Sequence, residues 1–278
     1  MSHDPVDDAP PAVEFTRVSL AFDEHVVFTD LNLSIPKGAM RILLGVSGSG
    51  KSVILKLVLG LIRPDAGEIR LNGERVDTMT EAELLQMRRG IGMVFQENAL
   101  FDSLTVAENV GFGLSDRNDG TDVEVRARVD EVLGFVGLGE YGERLPSGLS
   151  GGQRRRVAIA RAMAPRPDLL LFDDPITGLD PLIATTIDGE IVKLRDLERV
   201  TSLVVTHQIR DAFYIATHQA MRHDGRVLIA AAAPGQPPLA DFMLLRDGRI
   251  QFTGTAEELL ASEDPYVKEY LANTLPPW

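Results

Sequence analysis

Apolar residues come in short unbroken runs along this chain, separated by glycine-rich and charged turns, and that rhythm predicts buried strands alternating with helices. Val13-Glu14-Phe15 and residues 28–35 carry the partly alternating pattern of strands, with Asp23 and Glu24 in the turn between them. Met40-Arg41-Ile42-Leu43-Leu44 reads as a buried strand that runs straight into a glycine-rich loop, and residues 52–59 continue as a helix. Pro64-Asp65-Ala66-Gly67 is a turn, and residues 68–71, followed by Asn72-Gly73, read as a hairpin strand.

From Gln96 to Ser150 the period changes. Val125, Val129, Val132, Leu133 and Val136 recur three and four residues apart, which gives one apolar helix face and predicts an inserted helical subdomain. Beyond it, residues 169–172 and 203–205 are continuous apolar runs of the kind buried on both faces of a parallel sheet. Such strands alternating with helices put the core in the α/β class. Residues 230–238, four alanines and then a proline- and glycine-bearing stretch, read as a surface loop between two strands. No internal repeat is visible.

Composition excludes several function classes. The 278 residues suffice for a sizeable core, in one large domain or two modest ones, and 44% apolar with 25% charged residues is an ordinary globular balance. A formal charge of −13 argues against nucleic acid as a partner, because backbone binding needs clustered Lys and Arg. Cysteine is absent, which removes disulfides and thiolate metal sites and suits a reducing cytoplasm. The acidic, proline-bearing start is expected to be a disordered lead-in rather than a secretory signal. The most apolar stretch, 42–62, is broken by Ser47, Gly48, Ser49, Gly50, Lys51 and Ser52, so no span of a bilayer is expected.

Those interrupting residues carry the chemistry. Gly45-Val46-Ser47-Gly48-Ser49-Gly50-Lys51-Ser52 lies between a strand and a helix, the setting in which backbone N–H groups and a helix N-terminus cradle phosphate oxygens. In such a loop Lys51 reaches the β- and γ-phosphates and the Ser52 hydroxyl ligates Mg²⁺. Asp173 closes an apolar strand and suits a Mg²⁺ ligand; alone it reads equally as a helix cap, and the phosphate loop tips the balance. Leu149-Ser150-Gly151-Gly152-Gln153 opens a helix as a serine and glycine cap, and the Arg154-Arg155-Arg156 run after it is given no catalytic role.

The glycine loop, Gln96, the Leu149 to Gln153 pentapeptide, the Leu169 to Asp174 strand and His207, in that order, resemble the ATP-binding cassette (ABC) family from about residue 13 to 271. The resemblance implies a P-loop NTPase core of RecA-like type, with an N-terminal antiparallel β subdomain and an inserted helical subdomain. It implies a lead-in over 1–12 and one domain over 13–278, the core at about 13–96 and 165–278 and the helical subdomain at about 97–164. It further implies two copies that sandwich two ATP molecules, with Ser150, Gly151, Gly152 and Gln153 of one copy closing over nucleotide held by the other. Phe22 would stack on adenine, the alternative being a core phenylalanine. Gln96 would join the Mg²⁺ shell and sense the γ-phosphate, Asp180 would lie at the dimer seam, and His207 would contact the γ-phosphate and position water. His3, His25, His218 and His223 are read as structural.

One position departs from the family pattern. The usual general base is a glutamate after the Mg²⁺ aspartate, and this chain has Asp174, one methylene shorter. A base must come within about 2.6–3.2 Å of its proton, so a hydrolysing but slow ATPase is expected. The cassette implies an integral membrane permease, met at the cytoplasmic face of the inner membrane. Ala99, Leu100 and Phe101 either receive its short helix or pack within the helical subdomain. The strings over 99–106, 206–213 and 264–271 are similar to ATP-binding subunits that move phospholipid between bacterial membranes with an MCE-domain protein. An importer ATPase for a polar solute, and a dimerisation switch that barely hydrolyses ATP, are the alternatives.

Overall fold

The computed structural model describes residues 9–117, 120–233 and 235–275. In chain order the elements are β1 (Val13–Phe22), β2 (His25–Ile35), β3 (Met40–Leu44), α1 (Lys51–Val58), β4 (Ala66–Leu71), β5 (Glu74–Arg75), α2 (Glu81–Arg88) and β6 (Ile91–Val94). Three helices follow, α3 (Val106–Arg117), α4 (Asp122–Phe135) and α5 (Gly151–Met163). Then come β7 (Leu169–Asp173), α6 (Pro181–Lys193), β8 (Thr201–Val205), α7 (Ile209–Thr217), β9 (His218–His223), β10 (Arg226–Ala231), β11 (Asp241–Arg246), β12 (Arg249–Gly254), α8 (Ala256–Leu260) and α9 (Pro265–Thr274).

The central sheet has the order β12-β11-β3-β8-β7-β6, parallel from β11 to β6. Its strands alternate between two apolar layers. Ile42, Leu44, Leu170, Phe172 and Val204 face α3 to α7, whereas Leu43, Leu169, Leu171, Leu203 and Val205 face α1 and the antiparallel sheet β2-β1-β4-β5. Burial on both faces explains the continuous apolar runs in the sequence.

Register sets the site. Leu43 and Asp173 both pair with Val205, and Phe172 pairs with Val94, so β3, β6, β7 and β8 end at one level. The residues that follow them are Gly45, Gln96, Asp174 and His207. The carboxyl edge of a parallel sheet is where α/β folds collect ligands.

Among the described residues five helices open with a Ser or Thr cap answered three residues later by Glu or Gln: Thr80 with Glu83, Thr105 with Glu108, Thr121 with Glu124, Ser150 with Gln153 and Thr255 with Glu258. Each pair satisfies two of the N–H groups left unbonded at a helix start. On α4, Val129, Val132 and Leu133 are buried, as the period requires.

Two expectations are corrected. Of the lead-in, residues 1–8 lie outside the described residues. Ala12, however, is buried and sheet-bound, its N–H donating to Ile35 O at 2.9 Å and its carbonyl accepting from Asn72 at 3.1 Å. The loop over 230–238 begins later than expected, because Ala230 and Ala231 pair with Gln219 and His218 in the β9–β10 hairpin. Pro234 lies outside the described residues. Among the described residues no helix is long and apolar enough to cross a membrane.

Candidate functional site

The loop from Gly45 to Gly50 turns sharply between β3 and α1, with Gly48 at φ +80° and Gly50 at φ +98°, conformations that side-chain-bearing residues rarely adopt. Gly50 caps α1, its carbonyl accepting from Val53 and Ile54. Ser49 donates its N–H to Val46 O at 3.2 Å, while Ser47 is exposed. Lys51 folds back across the loop, donating from Nζ to Gly45 O at 2.9 Å and Val46 O at 3.0 Å. Burial lowers its pKa, against Asp174 and Asp173, which raise it.

Across the sheet edge, Ser52 Oγ donates to Asp173 Oδ1 at 2.8 Å, although the two residues are far apart in sequence. Burial raises the Asp173 pKa, with the Ser52 hydrogen bond working against it. A hydroxyl and a carboxylate make a hard-oxygen pair, which fits Mg²⁺: that ion keeps several waters and binds through one or two protein oxygens plus phosphates.

Asp174 sits at φ +44°, a left-handed conformation that Asp tolerates better than most residues. Its N–H donates to Val205 O at 2.9 Å. One carboxylate oxygen, Oδ1, takes the His207 N–H at 3.2 Å and lies 2.9 Å from His207 Nδ1. Since a carboxylate only accepts, that geometry places the ring proton on Nδ1 and leaves Nε2 turned away from Asp174. Oδ2 is left for another partner.

Gln96 follows β6, and what holds it was not legible in the sequence. Arg155, on α5, donates to Gln96 O at 2.5 Å and to Phe95 O. Arg161 donates to Ala99 O at 2.5 Å and Asn98 O at 3.0 Å. The Gln96 side chain is exposed, and among the described residues it bonds to neither Ser52 nor Asp173. The structure therefore links Ser52 with Asp173 and Asp174 with His207, beside Lys51, and sets Gln96 at the same sheet edge without a hydrogen bond to them among the described residues.

The pentapeptide opens α5 as a capping box. Ser150 Oγ accepts from Gln153 N–H at 3.3 Å, and Gln153 Oε1 accepts from Ser150 N–H at 2.8 Å. A Cβ on Gly152 would lie 2.3 Å from Ile183 Cγ2, so close packing on α6 requires glycine there, and Gly151 packs beside Leu179. Asp180 caps α6 by accepting from Leu182 N–H at 2.9 Å. Phe22, at the end of β1, is 48% exposed rather than packed in the core.

Comparison with known proteins identifies the family and the fold. The profile of the ABC transporter family matches residues 28–177. The sulfate/thiosulfate import ATP-binding protein of Synechocystis sp. is 35% identical over 268 residues, covering 95% of this chain and 67% of that protein. Some other proteins of that name are covered over 60% of their length. The intermembrane phospholipid transport system ATP-binding protein of Haemophilus influenzae is 32% identical over 259 residues, covering 93% of this chain and 89% of that one. A solved dimeric ATP-binding cassette in a post-hydrolysis state, bound to ADP and Pi, superposes with a TM-score of 0.71 at 30% identity, covering 87% of this chain and 98% of its own.

Proposed function

Because the chain belongs to the ABC transporter family and has its ATP-binding fold, for which ATP with Mg²⁺ is the ligand, we propose that it is an ATPase subunit of a phospholipid transporter. The observation that carries the ATPase reading is the convergence of Ser52 on Asp173 at 2.8 Å and of His207 on Asp174 at 2.9 Å along one sheet edge. Lys51 and the loop N–H groups bind the triphosphate, and Asp174 accepts the proton of the attacking water through Oδ2. His207 holds Asp174 by Oδ1 and offers Nε2 to the γ-phosphate side. Ser52 and Asp173, with Gln96, would hold Mg²⁺, which when bound would supply charge neutralisation at the phosphates. Phe22 stacks on the adenine. Turnover is slow, because Asp174 is both short and tied to His207.

Two copies close on two nucleotides, each bringing Ser150, Gly151, Gly152 and Gln153 to the other's ATP and Asp180 to the seam. The permease docks in a groove of about 660 Å³ between α3 and α4, floored by Leu104, Phe112, Val125 and Val129. Phe101 stands at 4.6 Å from Phe112, ring to ring, and both are close to half exposed. Glu108, Asp122, Asp130, Glu140 and Glu143 rim the groove against one arginine, Arg126, so the docking segment of the permease is basic as well as apolar. The complex sits at the cytoplasmic face of the inner membrane, with an MCE-domain protein as the lipid-binding partner.

Lipid as cargo is supported by the phospholipid-system relative and by the strings over 99–106, 206–213 and 264–271. Import of a polar solute is the second reading, favoured by the 35% identity to the sulfate/thiosulfate import protein over 95% of this chain. Purification with its permease, followed by mass spectrometry of the bound cargo, decides: phospholipid supports the first reading and a small oxyanion the second. Steady phosphate release by the isolated chain, set against Lys51→Ala, tests the ATPase. Release no greater than in that control would leave only a nucleotide-dependent switch.

A further inference from the structure

α5 joins two functional ends of the subunit. It opens on Ser150, whose turn meets the partner's nucleotide in the reading above, and just over one turn later it carries Arg155, which points back to the loop bearing Gln96. Arg155 is 2% exposed. Its two terminal nitrogens donate to successive carbonyls, Phe95 and Gln96, while its Nε is buried with no partner. Among the described residues no carboxylate pairs with it, and burial lowers its pKa to about 10.

A buried charge without a counter-ion is strongly unfavourable unless dipoles replace its water. Here the replacing dipoles are the loop's own carbonyls, so the loop and the guanidinium fix each other. Arg161 repeats the grip on the next carbonyls, those of Asn98 and Ala99, which stand at φ +64° and +49°. The planar fork matters: a lysine ammonium is a point charge that cannot orient two carbonyls at fixed spacing.

We propose that Arg155 is the positioning residue that sets the Gln96 loop from the signature helix, so that closure of Ser150 on the partner's nucleotide repositions Gln96 at the subunit's own site. The proposal rests on the reading of Gln96 and Ser150 given above. It makes α5 a rigid lever between the two nucleotides of the dimer.

The test uses the full chain with Arg155→Met, which keeps the apolar stem, and Arg155→Lys, which keeps the charge. Three quantities are measured: steady-state ATPase, affinity for a nonhydrolysable ATP analogue, and hydrogen exchange of amides 95–99 without nucleotide. Arg155→Met is expected to lower kcat about tenfold or more, leave analogue affinity within about threefold, and speed exchange at 95–99 about tenfold while α5 stays protected. Arg155→Lys recovers part of kcat. Wild-type kcat and exchange in Arg155→Met overturn the proposal, and so does loss of α5 protection together with analogue affinity, which marks a purely structural residue. If Arg155→Met fails to fold, the lysine variant decides: reduced kcat at unchanged affinity supports the lever, and wild-type kcat refutes it. Should the wild-type chain prove inactive, the functional reading fails, while loop exchange still reports whether Arg155 holds residues 95–99.

Discussion

Asp188→Asn is expected to make the protein more stable, by an amount that grows with pH. Asp188 lies on α6 at 1% exposure, against Asp211 of α7 at 7%. Burial, and then the neighbouring Asp211 charge, push the Asp188 carboxyl up to about 9, with Arg210 opposing. In the unfolded chain the same group titrates near about 4. The native state therefore holds one more proton than the unfolded state between those limits. Stability attributable to this site is greatest below about pH 4 and falls as pH rises through the window, by about 1.4 kcal/mol per pH unit. Burial raises Asp211 too, so the pair titrates as a unit, and replacing Asp188 removes the larger of the two shifts, the one set by burial and then by the Asp211 charge. Asparagine keeps the volume and stays neutral. From pH 5 to pH 7 the advantage of the variant over wild type should grow by about 3 kcal/mol. Urea unfolding of both proteins at pH 5, 6, 7 and 8, with m compared to check that the transition is unchanged, measures it. A difference that stays flat across that range refutes the assignment of a native-state proton to this pair.

Other expectations follow from the site. Gly152→Ala drives a Cβ to within 2.3 Å of Ile183 Cγ2 and should destabilise by about 1–3 kcal/mol, read as a lower urea midpoint; an unchanged midpoint would mean that α6 yields freely. Ser52→Ala removes the hydroxyl bonded to Asp173 and should raise the Mg²⁺ concentration needed for half-maximal ATPase about tenfold with little change in nucleotide affinity without metal, checked by Mg²⁺ titration. Asp174→Glu restores the missing methylene and should raise kcat about tenfold or more, since misplacement of about 1 Å weighs on the order of a hundredfold; equal turnover of the two proteins removes the reach argument.

The strands were legible because two-sided burial leaves an apolar run, as in β3, β7 and β8, and the start of α5 because Ser150 and the glycines after it read as a cap, whereas the capping boxes at Thr80, Thr105, Thr121 and Thr255 went unread. The β9–β10 hairpin was harder to read. Its outward face carries Met221 and Leu228 opposite each other, both exposed, while the inward pair is Ala220 and Ile229, with Ile229 packing on the main core beside Gly189 of α6. A ribbon with large apolar residues on both faces blurs the alternation from which strands are recognised, and Ala230 and Ala231 then pass for loop.

The same asymmetry governs the site. Lys51, Ser52 and Asp173 could be found from sequence because a glycine loop between strand and helix, and an apolar strand ending in a carboxylate, are local patterns, whereas Asp174 and His207 were found through the resemblance to the family. Arg155 could not be found, for the run Arg154-Arg155-Arg156 offers three like residues on a helix start, and sequence alone cannot say which one turns inward. Their environments differ: Arg155 is buried, while the Arg154 side chain donates to the nearby Leu149 carbonyl and Arg156 to Val136 O at 2.9 Å. Asp188 was hidden for a related reason, since an aspartate inside an amphipathic helix is usually solvated, and its burial is decided by α7. Charged residues show their chemistry in the sequence but not their dielectric surroundings, and those surroundings decide whether a charge merely solvates a surface or fixes a loop in place.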